Sequence, residues 1–261
     1  MADPAQKHLI PLAFLILGLL AVPVALAADT TPPATPAVTD DGAYTTSTTT
    51  LHAAWTSSDP ESGIADYQYQ IRQDSTAGLI ILDWTSTSTI SPGGSFTANS
   101  VTRTGLKLLQ GKTYFFSVKA KNGAGLWSAV GYSNGIKVDN TAPSPVIVTD
   151  DGAATTSKTS FHARWTSSSD GESGIAEYQY QIRQDSTTGT ILVNWTSAGL
   201  VTEVTRSGLT LINGKAYYIG VRAKNGAGLF SSAAYSDGIT VTIALNLEIT
   251  SPQEGAWIGG K

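Results

Sequence analysis

Apolar and polar side chains alternate with a period of two over much of the chain after residue 27. Leu51, Ala53 and Trp55 are separated by positions that a strand would turn outward, and Tyr67 and Tyr69 continue the pattern. This alternation predicts half-buried β-strands, and no window beyond residue 27 has the 3.6-residue period of an amphipathic helix. The alternating stretches are 51–56, 67–72, 114–121, 161–165, 178–183 and 217–224.

These stretches belong to two copies of one unit. Residues 67–76 recur unchanged as 178–187. The spacing between matching positions then shortens, so that the first copy holds eight extra residues between Trp84 and Gly105. An insertion of this kind belongs on a surface loop. Each copy has about seven predicted strands in about 100 residues, which is the size of an antiparallel β-sandwich.

Two segments of each copy resemble fibronectin type III modules. Residues 55–67, with a Trp before a polar loop and an Ile and a Tyr after it, are similar to the strand B to strand C signature of that family. Residues 108–114 are similar to its strand E to strand F signature, in which a Tyr forms the tyrosine corner. Leu109-Gln and Ile212-Asn depart from the Pro that often precedes the Gly there. The core residues that the resemblance implies are Trp55, Tyr114, Trp165 and Tyr217.

The resemblance implies an all-β fold of two tandem seven-stranded antiparallel β-sandwiches after an N-terminal signal helix. We predict a linker at 28–32, a first module at 33–142 and a second module at 143–242. Residues 243–261 open like another immunoglobulin-like strand, and nineteen residues cannot bury a core of their own. We therefore interpret this last segment as the start of a further, truncated module.

The first 27 residues have the pattern of a secretory signal. A polar start carrying Lys7 precedes an apolar run from Leu9 to Leu26, and small residues at 25–27 predict cleavage after Ala27. The rival interpretation is an uncleaved membrane anchor, since 18 apolar residues lie at the lower edge of what spans a bilayer. Beyond this segment, no stretch is apolar enough to span a membrane.

Composition narrows the classes of function. The chain has 16 Lys and Arg against 20 Asp and Glu, so it lacks the basic excess with which nucleic-acid binders neutralise phosphates. It has no Cys, which excludes disulfides, thiolate metal sites and cysteine nucleophiles. An exported chain of this size without Cys is more typical of bacterial and archaeal surface proteins than of eukaryotic ones.

Candidate catalytic residues are few. His8 lies in the signal, and His52 and His162 occupy the same predicted outward strand position in the two copies. The acidic pairs Asp59/Glu61 and Asp170/Glu172 could serve glycoside hydrolysis in a concave cleft, but each is better explained as an acidic turn. Lys119, Lys121, Arg222 and Lys224 are expected to be ordinary solvated charges on the same strand of each copy. We predict no catalytic, cofactor-binding or resident metal-binding residue, and no enzyme activity.

Two binding hypotheses remain open. Calcium is one, because stacking the modules head to tail would gather carboxylates at the joint, and Ca²⁺ takes six to eight oxygen ligands. The carboxylates concerned are those of Asp40, Asp41, Asp139, Asp170 and Glu172. The other is glycan stacking on aromatic side chains at Trp84, Trp127 and Trp195, with Phe230 in place of Trp127 in the second copy.

The expected function is that of a non-catalytic exported array, a spacer, stalk or adhesion segment at the cell surface with protein or glycan as partner. Pro residues in Asp29-Thr-Thr-Pro-Pro and Asp139-Asn-Thr-Ala-Pro should stiffen it. The alternative is an accessory, carbohydrate-binding region of a secreted enzyme whose catalytic domain lies beyond residue 261.

Overall fold

The structure is a computed structural model that describes residues 28–91 and 94–244, and only the backbone at 89–91 and 94–97. The predicted signal segment at 1–27 and most of the predicted truncated module, from 245 onward, lie outside the described residues. Within these ranges every regular element is a β-strand. The described part contains no helix long and apolar enough to cross a membrane.

The alternating stretches of the first copy form the strands predicted for them. They are followed in each case by Gly, Asp or Ser turns, which end the strands. The strands are β1 (Ala37–Asp40), β2 (Tyr44–Thr45), β3 (Leu51–Thr56), β4 (Ile64–Gln73), β5 (Leu79–Ser86), β6 (Ser88–Ser91), β7 (Gly94–Thr97), β8 (Ser100–Arg103), β9 (Thr113–Asn122), β10 (Gly131–Tyr132) and β11 (Ile136–Val138).

The second copy repeats this order without β6 and β7. Its strands are β12 (Val148–Asp150), β13 (Ala154–Thr155), β14 (Ser160–Trp165), β15 (Ile175–Gln184), β16 (Thr190–Gly199), β17 (Glu203–Ser207), β18 (Ala216–Asn225), β19 (Ala234–Tyr235) and β20 (Ile239–Val241). The insertion of the first copy is therefore a hairpin of β6 and β7, which pair only with each other.

Each copy is a sandwich of two sheets. In the first copy a three-stranded sheet has the order β1-β3-β8, and a larger sheet has the order β2-β11-β9-β4-β5 with β10 beside β9. The second copy has the same order in β12-β14-β17 and β13-β20-β18-β15-β16. The first strand crosses between sheets, because β2 leaves β1 and pairs in parallel with β11. This splitting of the first and last strands gives more pieces than the seven predicted per copy, but the predicted fold class is confirmed.

The core lies between the sheets and is built from the predicted inward positions. Trp55 is 2% exposed and packs on Tyr67 and Tyr69, with ring centroids 5.8 and 6.3 Å away. Trp165 is also buried in the second copy and packs on Tyr178 at 5.9 Å. The indole N–H of each Trp lacks a hydrogen-bond partner in the described residues, so these rings contribute as apolar surface.

The expected tyrosine corner is present in both copies. The hydroxyl of Tyr114 accepts a hydrogen bond from the Leu109 backbone N–H at 2.8 Å and donates to Gln73 at 3.2 Å. Tyr217 accepts from the Ile212 N–H at 2.8 Å in the same way. A buried tyrosine thus satisfies a backbone donor on the segment that leads into its own strand, five residues upstream. The two copies are fibronectin type III-like sandwiches arranged in tandem.

Candidate functional site at the module joint

The two sandwiches meet through a buried carboxylate at the end of the first. Asp139 directly follows β11 and is fully buried. One of its oxygens, Oδ2, accepts from the Ser173 hydroxyl at 2.5 Å and from the Asn225 side-chain amide at 2.9 Å, both in the second module. The other, Oδ1, accepts from the Thr141 N–H and from the Gln110 side-chain amide, each at 3.2 Å. Asp139 therefore links both modules through one carboxylate.

The receiving side of the second module is shaped by its own loops. Asp170 lies between β14 and β15, and its Oδ1 accepts from the backbone N–H of Ser173 at 2.9 Å and of Gly174 at 3.1 Å. Asn225 ends β18, and its Oδ1 accepts from the Leu229 N–H at 2.8 Å. That bond orients the amide, so the Asn225 Nδ2 faces Asp170 at 3.0 Å as well as Asp139. We call Asp139, Thr141, Asp170, Ser173 and Asn225 the joint cluster.

The electrostatics of the joint cluster favour an ionised Asp139. Burial by itself would raise the pKa of this carboxyl. The hydrogen bonds from Ser173, Gln110 and Thr141 outweigh burial and bring its pKa below the ordinary value. A carboxylate that accepts several hydrogen bonds holds its donors in place, and Asp139 thereby orders residues from both modules.

Other contacts cross the joint beside this cluster. The ammonium of Lys137, in β11, donates to the Glu172 backbone carbonyl at 2.6 Å. The Thr141 hydroxyl donates to the Glu172 carboxylate at 3.4 Å. Gly226 lies against Tyr44, and a Cβ on this glycine would come within 3.1 Å of the Tyr44 ring and 2.8 Å of the Ser173 carbonyl oxygen. The joint thus combines hydrogen bonds with close packing.

The same cluster occurs at the start of the first module. Asp29 accepts from the Ser62 hydroxyl at 2.5 Å and from the Asn122 amide at 2.7 Å, and Asn122 also donates to Asp59 at 3.0 Å. The backbone N–H of Ser62 is the main cause of a lowered pKa at Asp59. The predicted linker residues Asp29 and Thr31 therefore pack into the first module as Asp139 and Thr141 pack into the second. We call Asp29, Thr31, Asp59, Ser62 and Asn122 the N-terminal cluster.

The structure gathers three of the five carboxylates predicted for calcium. Ligand atoms of Asp139, Asp170 and Glu172 lie within 4.8 Å of one another. The side-chain amide of Asn225, however, donates its N–H groups to both Asp139 and Asp170. The positive ends of these N–H groups would repel a cation placed between the two carboxylates. Backbone N–H groups donate to Oδ1 of both Asp residues, and the Gln110 side-chain amide also donates to that of Asp139. These carboxylates are therefore satisfied as a hydrogen-bonded cluster, and calcium at the joint stays a prediction.

Asp40 and Asp41 lie away from the joint, contrary to their predicted place there. Asp40 accepts from the Gly135 N–H at 3.1 Å, just before β11 begins, whereas Asp139 follows the end of that strand. Asp41 is 2.7 Å from Nδ1 of His52. The physical reason is the crossing of the first strand, which leaves Asp40 and Asp41 beside the start of β11.

The two strand histidines have the same surroundings in both modules. Nδ1 of His162 is 2.7 Å from Asp151, as that of His52 is from Asp41. In the described residues, no hydroxyl group hydrogen-bonds to the other nitrogen of either ring. Of the acidic pairs in the turns, Asp59 belongs to the N-terminal cluster and Asp170 to the joint cluster.

Two of the four predicted solvated cations, Lys119 and Arg222, are instead stacked between aromatic rings. The Lys119 ammonium lies 4.5 Å from the centre of the Trp84 ring and 4.6 Å from that of Trp127. The Arg222 guanidinium lies 4.3 Å from Trp195 and 3.9 Å from Phe230. The sequence does not reveal this contact because Trp84 and Trp127 are 43 positions apart and come together only on the outer face of the sheet. Each cation covers a ring face on which a sugar would stack, and this arrangement disfavours glycan binding there. Glycan stacking stays a prediction.

The donors of the two clusters were also missed by sequence reasoning. Ser62, Asn122, Ser173 and Asn225 lie in segments that the two copies share, Glu-Ser-Gly-Ile-Ala and Lys-Asn-Gly-Ala-Gly-Leu. The available signal was that Asn122 and Asn225 stand at inward positions of an apolar alternation, where a polar side chain needs partners.

Comparisons with known proteins give fold-level likenesses only. No family model matches the chain, and no curated protein matches it. Among solved structures, it is similar to titin domains at 18% identity and a TM-score of 0.49, covering 76% of this chain and 61% of that one. It is similar to the fibronectin(III)-like modules of Clostridium thermocellum CbhA at 15% identity and 0.44, covering 79% and 94%. It is also similar to the FN1–FN3 domains of chicken CNTN1 at 16% and 0.41, covering 78% and 67%.

Proposed function

We propose that this chain is a structural segment of an exported protein, a spacer, stalk or adhesion segment in which two sandwiches are held head to tail. The observation that carries the proposal is the joint cluster. Asp139 is buried against Ser173 and Asn225, so that the end of one module is part of the hydrogen-bonded structure of the next. Such a joint transmits force and preserves direction, which a flexible linker does not.

The sequence supports the exported location. The signal pattern of 1–27, the absence of Cys and the low content of charged residues, 14%, are all typical of an extracellular β-array. The partner expected there is a protein or a glycan of the surface.

The stiffness of the joint can be measured by pulsed electron–electron double resonance, which gives the distribution of distances between two spin labels. Because the chain has no Cys, Thr76→Cys and Thr187→Cys introduce the only two thiols, at equivalent exposed turns of the modules. We expect a narrow distance distribution in the labelled chain. Adding Asp139→Ala should widen it, since Ser173 and Asn225 then lose their partner across the joint.

Asp29→Ala, added to the same labelled pair, is the matched control. It removes the equivalent carboxylate from the N-terminal cluster, which lies within the first module and its leading segment, so the distribution should stay narrow. A broad distribution in the labelled chain without either variant would contradict the proposal. An unchanged width after Asp139→Ala would show that the joint cluster does not hold the modules.

A further inference from the structure

One position differs between the copies in a way that changes its chemistry. The first copy has Asp83-Trp84-Thr85, and the second has Asn194-Trp195-Thr196. Asn followed by any residue but Pro and then by Thr or Ser is the acceptor pattern for N-linked glycans. None of the other seven Asn residues of the chain is followed by this pattern.

The fold places Asn194 where a glycan has room. The residue is exposed and lies in β16, the outermost strand of its sheet, which pairs with β15 on one side only. Tyr180 pairs with Thr196 while Ile182 pairs with Val193, so Asn194 and Trp195 together oppose Gln181. This is a β-bulge, which lifts the strand out of the regular ladder at that point.

The side-chain nitrogen of Asn194, to which a glycan would be joined, has no hydrogen-bond partner among the described residues. The Asn194 Oδ1 accepts from the Trp195 N–H at 2.8 Å, and the Thr196 hydroxyl donates to the Asn194 backbone carbonyl at 2.8 Å. The Asn194 Nδ2 makes no hydrogen bond to any described residue. A substituent on Nδ2 therefore displaces no hydrogen bond to the described residues.

The surroundings also give a glycan a physical role. The described strand β16 carries no charged side chain, and Ile191 and Leu192 on it are 47% and 37% exposed. An uncharged edge strand with exposed apolar side chains invites pairing with other chains, and natural sheets shield such edges. In the first module the edge strand β5 carries the charge of Asp83 at the matching bulge, which Asn194 does not supply.

We propose that Asn194 is an acceptor for N-linked glycosylation and that the glycan shields the β16 edge. Transfer joins Nδ2 to the anomeric carbon of a lipid-linked oligosaccharide. The bond between that carbon and the lipid pyrophosphate oxygen breaks, and the amide proton leaves with the lipid pyrophosphate. This proposal rests on the proposed function in one respect, namely that the chain is exported. The acceptor site itself does not depend on the module joint.

The test is the intact mass of the full chain secreted from insect cells, with the secretion signal of the host ahead of it. We expect one glycan on the unaltered chain and on Thr196→Ser, and none on Asn194→Gln or Thr196→Ala. Asp83→Asn recreates the pattern at the matching bulge of the first module and should add a second glycan.

An unmodified mass for the secreted chain would overturn the proposal, as would a glycan that persists in Asn194→Gln. If Asp83→Asn added none, the bulged edge would not be what makes the acceptor accessible. Thermal melting of each secreted variant checks that it is folded. Because none of these variants touches the joint cluster, the spin-label experiment can fail while this one succeeds, and the reverse.

Discussion

The side-chain amide of Asn225 donates to the Asp139 carboxylate at 2.9 Å across the module joint, although 86 positions separate the two residues. The same amide holds Asp170 within the second module. One Asn thus serves both the fold of its own module and the attachment of the preceding one, so stability and joint geometry should change together.

Asp139→Ala should lower the free energy of unfolding by about 1–3 kcal/mol, because buried donors on Ser173 and Asn225 lose their acceptor. Urea denaturation of the full chain measures this loss. Asp151→Ala is the matched control, since among the described residues this exposed carboxylate hydrogen-bonds only to His162, and the loss there should be below about 1 kcal/mol. Equal losses in the two variants would contradict the role given to Asp139.

Low pH should destabilise the folded state through the carboxylates of the two clusters. Asp139 and Asp59 have pKa values below their ordinary ones in the folded state. Both carboxylates therefore stabilise the fold at pH values above about 4, which is the pKa of Asp in the unfolded chain. That contribution is lost as the pH falls through the folded pKa values. The melting temperature should therefore be level between about pH 7 and pH 5 and decline below about pH 4, with a shallower decline in Asp139→Asn. An identical decline in this variant would remove Asp139 from the explanation.

Calcium should have no effect on the melting temperature. The Asp oxygens of the joint cluster are already bonded to donors, and Asn225 directs its N–H groups between two of the carboxylates. Melting in millimolar calcium and in excess chelator should give the same midpoint, and calorimetry should show no uptake. A calcium-dependent rise that disappears in Asp170→Asn would contradict this prediction and support the calcium hypothesis.

The tyrosine corner should contribute similarly in both modules. Tyr114→Phe leaves the Leu109 N–H without its acceptor, and Tyr217→Phe does the same to Ile212. Each change should cost about 0.5–1.5 kcal/mol in urea denaturation with little change of shape. No measurable loss in either variant would mean that water replaces the hydroxyl as acceptor.

Trp165→Ala should be the most damaging of these substitutions. Truncating a buried aromatic side chain costs about 3–5 kcal/mol, a large share of the stability of one module. Trp195→Ala, which removes a half-buried ring from the outer face, should cost less. If the melting profile of Trp165→Ala matched that of the unaltered chain, the inward assignment of this Trp would be wrong.

The core of each module was predictable from the sequence because it depends on local order along the chain. Alternation around Trp55 and Tyr69 specifies which side of a strand is buried, whatever the strand later pairs with. The tyrosine corner at Tyr114 was expected from the resemblance of residues 108–114 to the strand E to strand F signature, and its donor Leu109 lies within that segment.

The candidate site was predictable only in part. The head-to-tail idea correctly brought Asp139 together with Asp170 and Glu172, because strand order places their loops at facing ends. It wrongly included Asp40 and Asp41, whose position depends on where the first strand crosses between the sheets. The cations Lys119 and Arg222 were misjudged because alternation separates inward from outward positions but does not show what covers the outer face.

Periodicity and repetition along the chain were therefore enough to establish two β-sandwiches, their order and most of their core. What holds the sandwiches to each other was decided by tertiary structure alone. The joint depends on how Asn225, Ser173 and Asp170 are turned toward Asp139 by their own loops. Hydrogen bonds require that distance and direction be met together, and residues far apart in the chain meet both conditions only after the strands have paired.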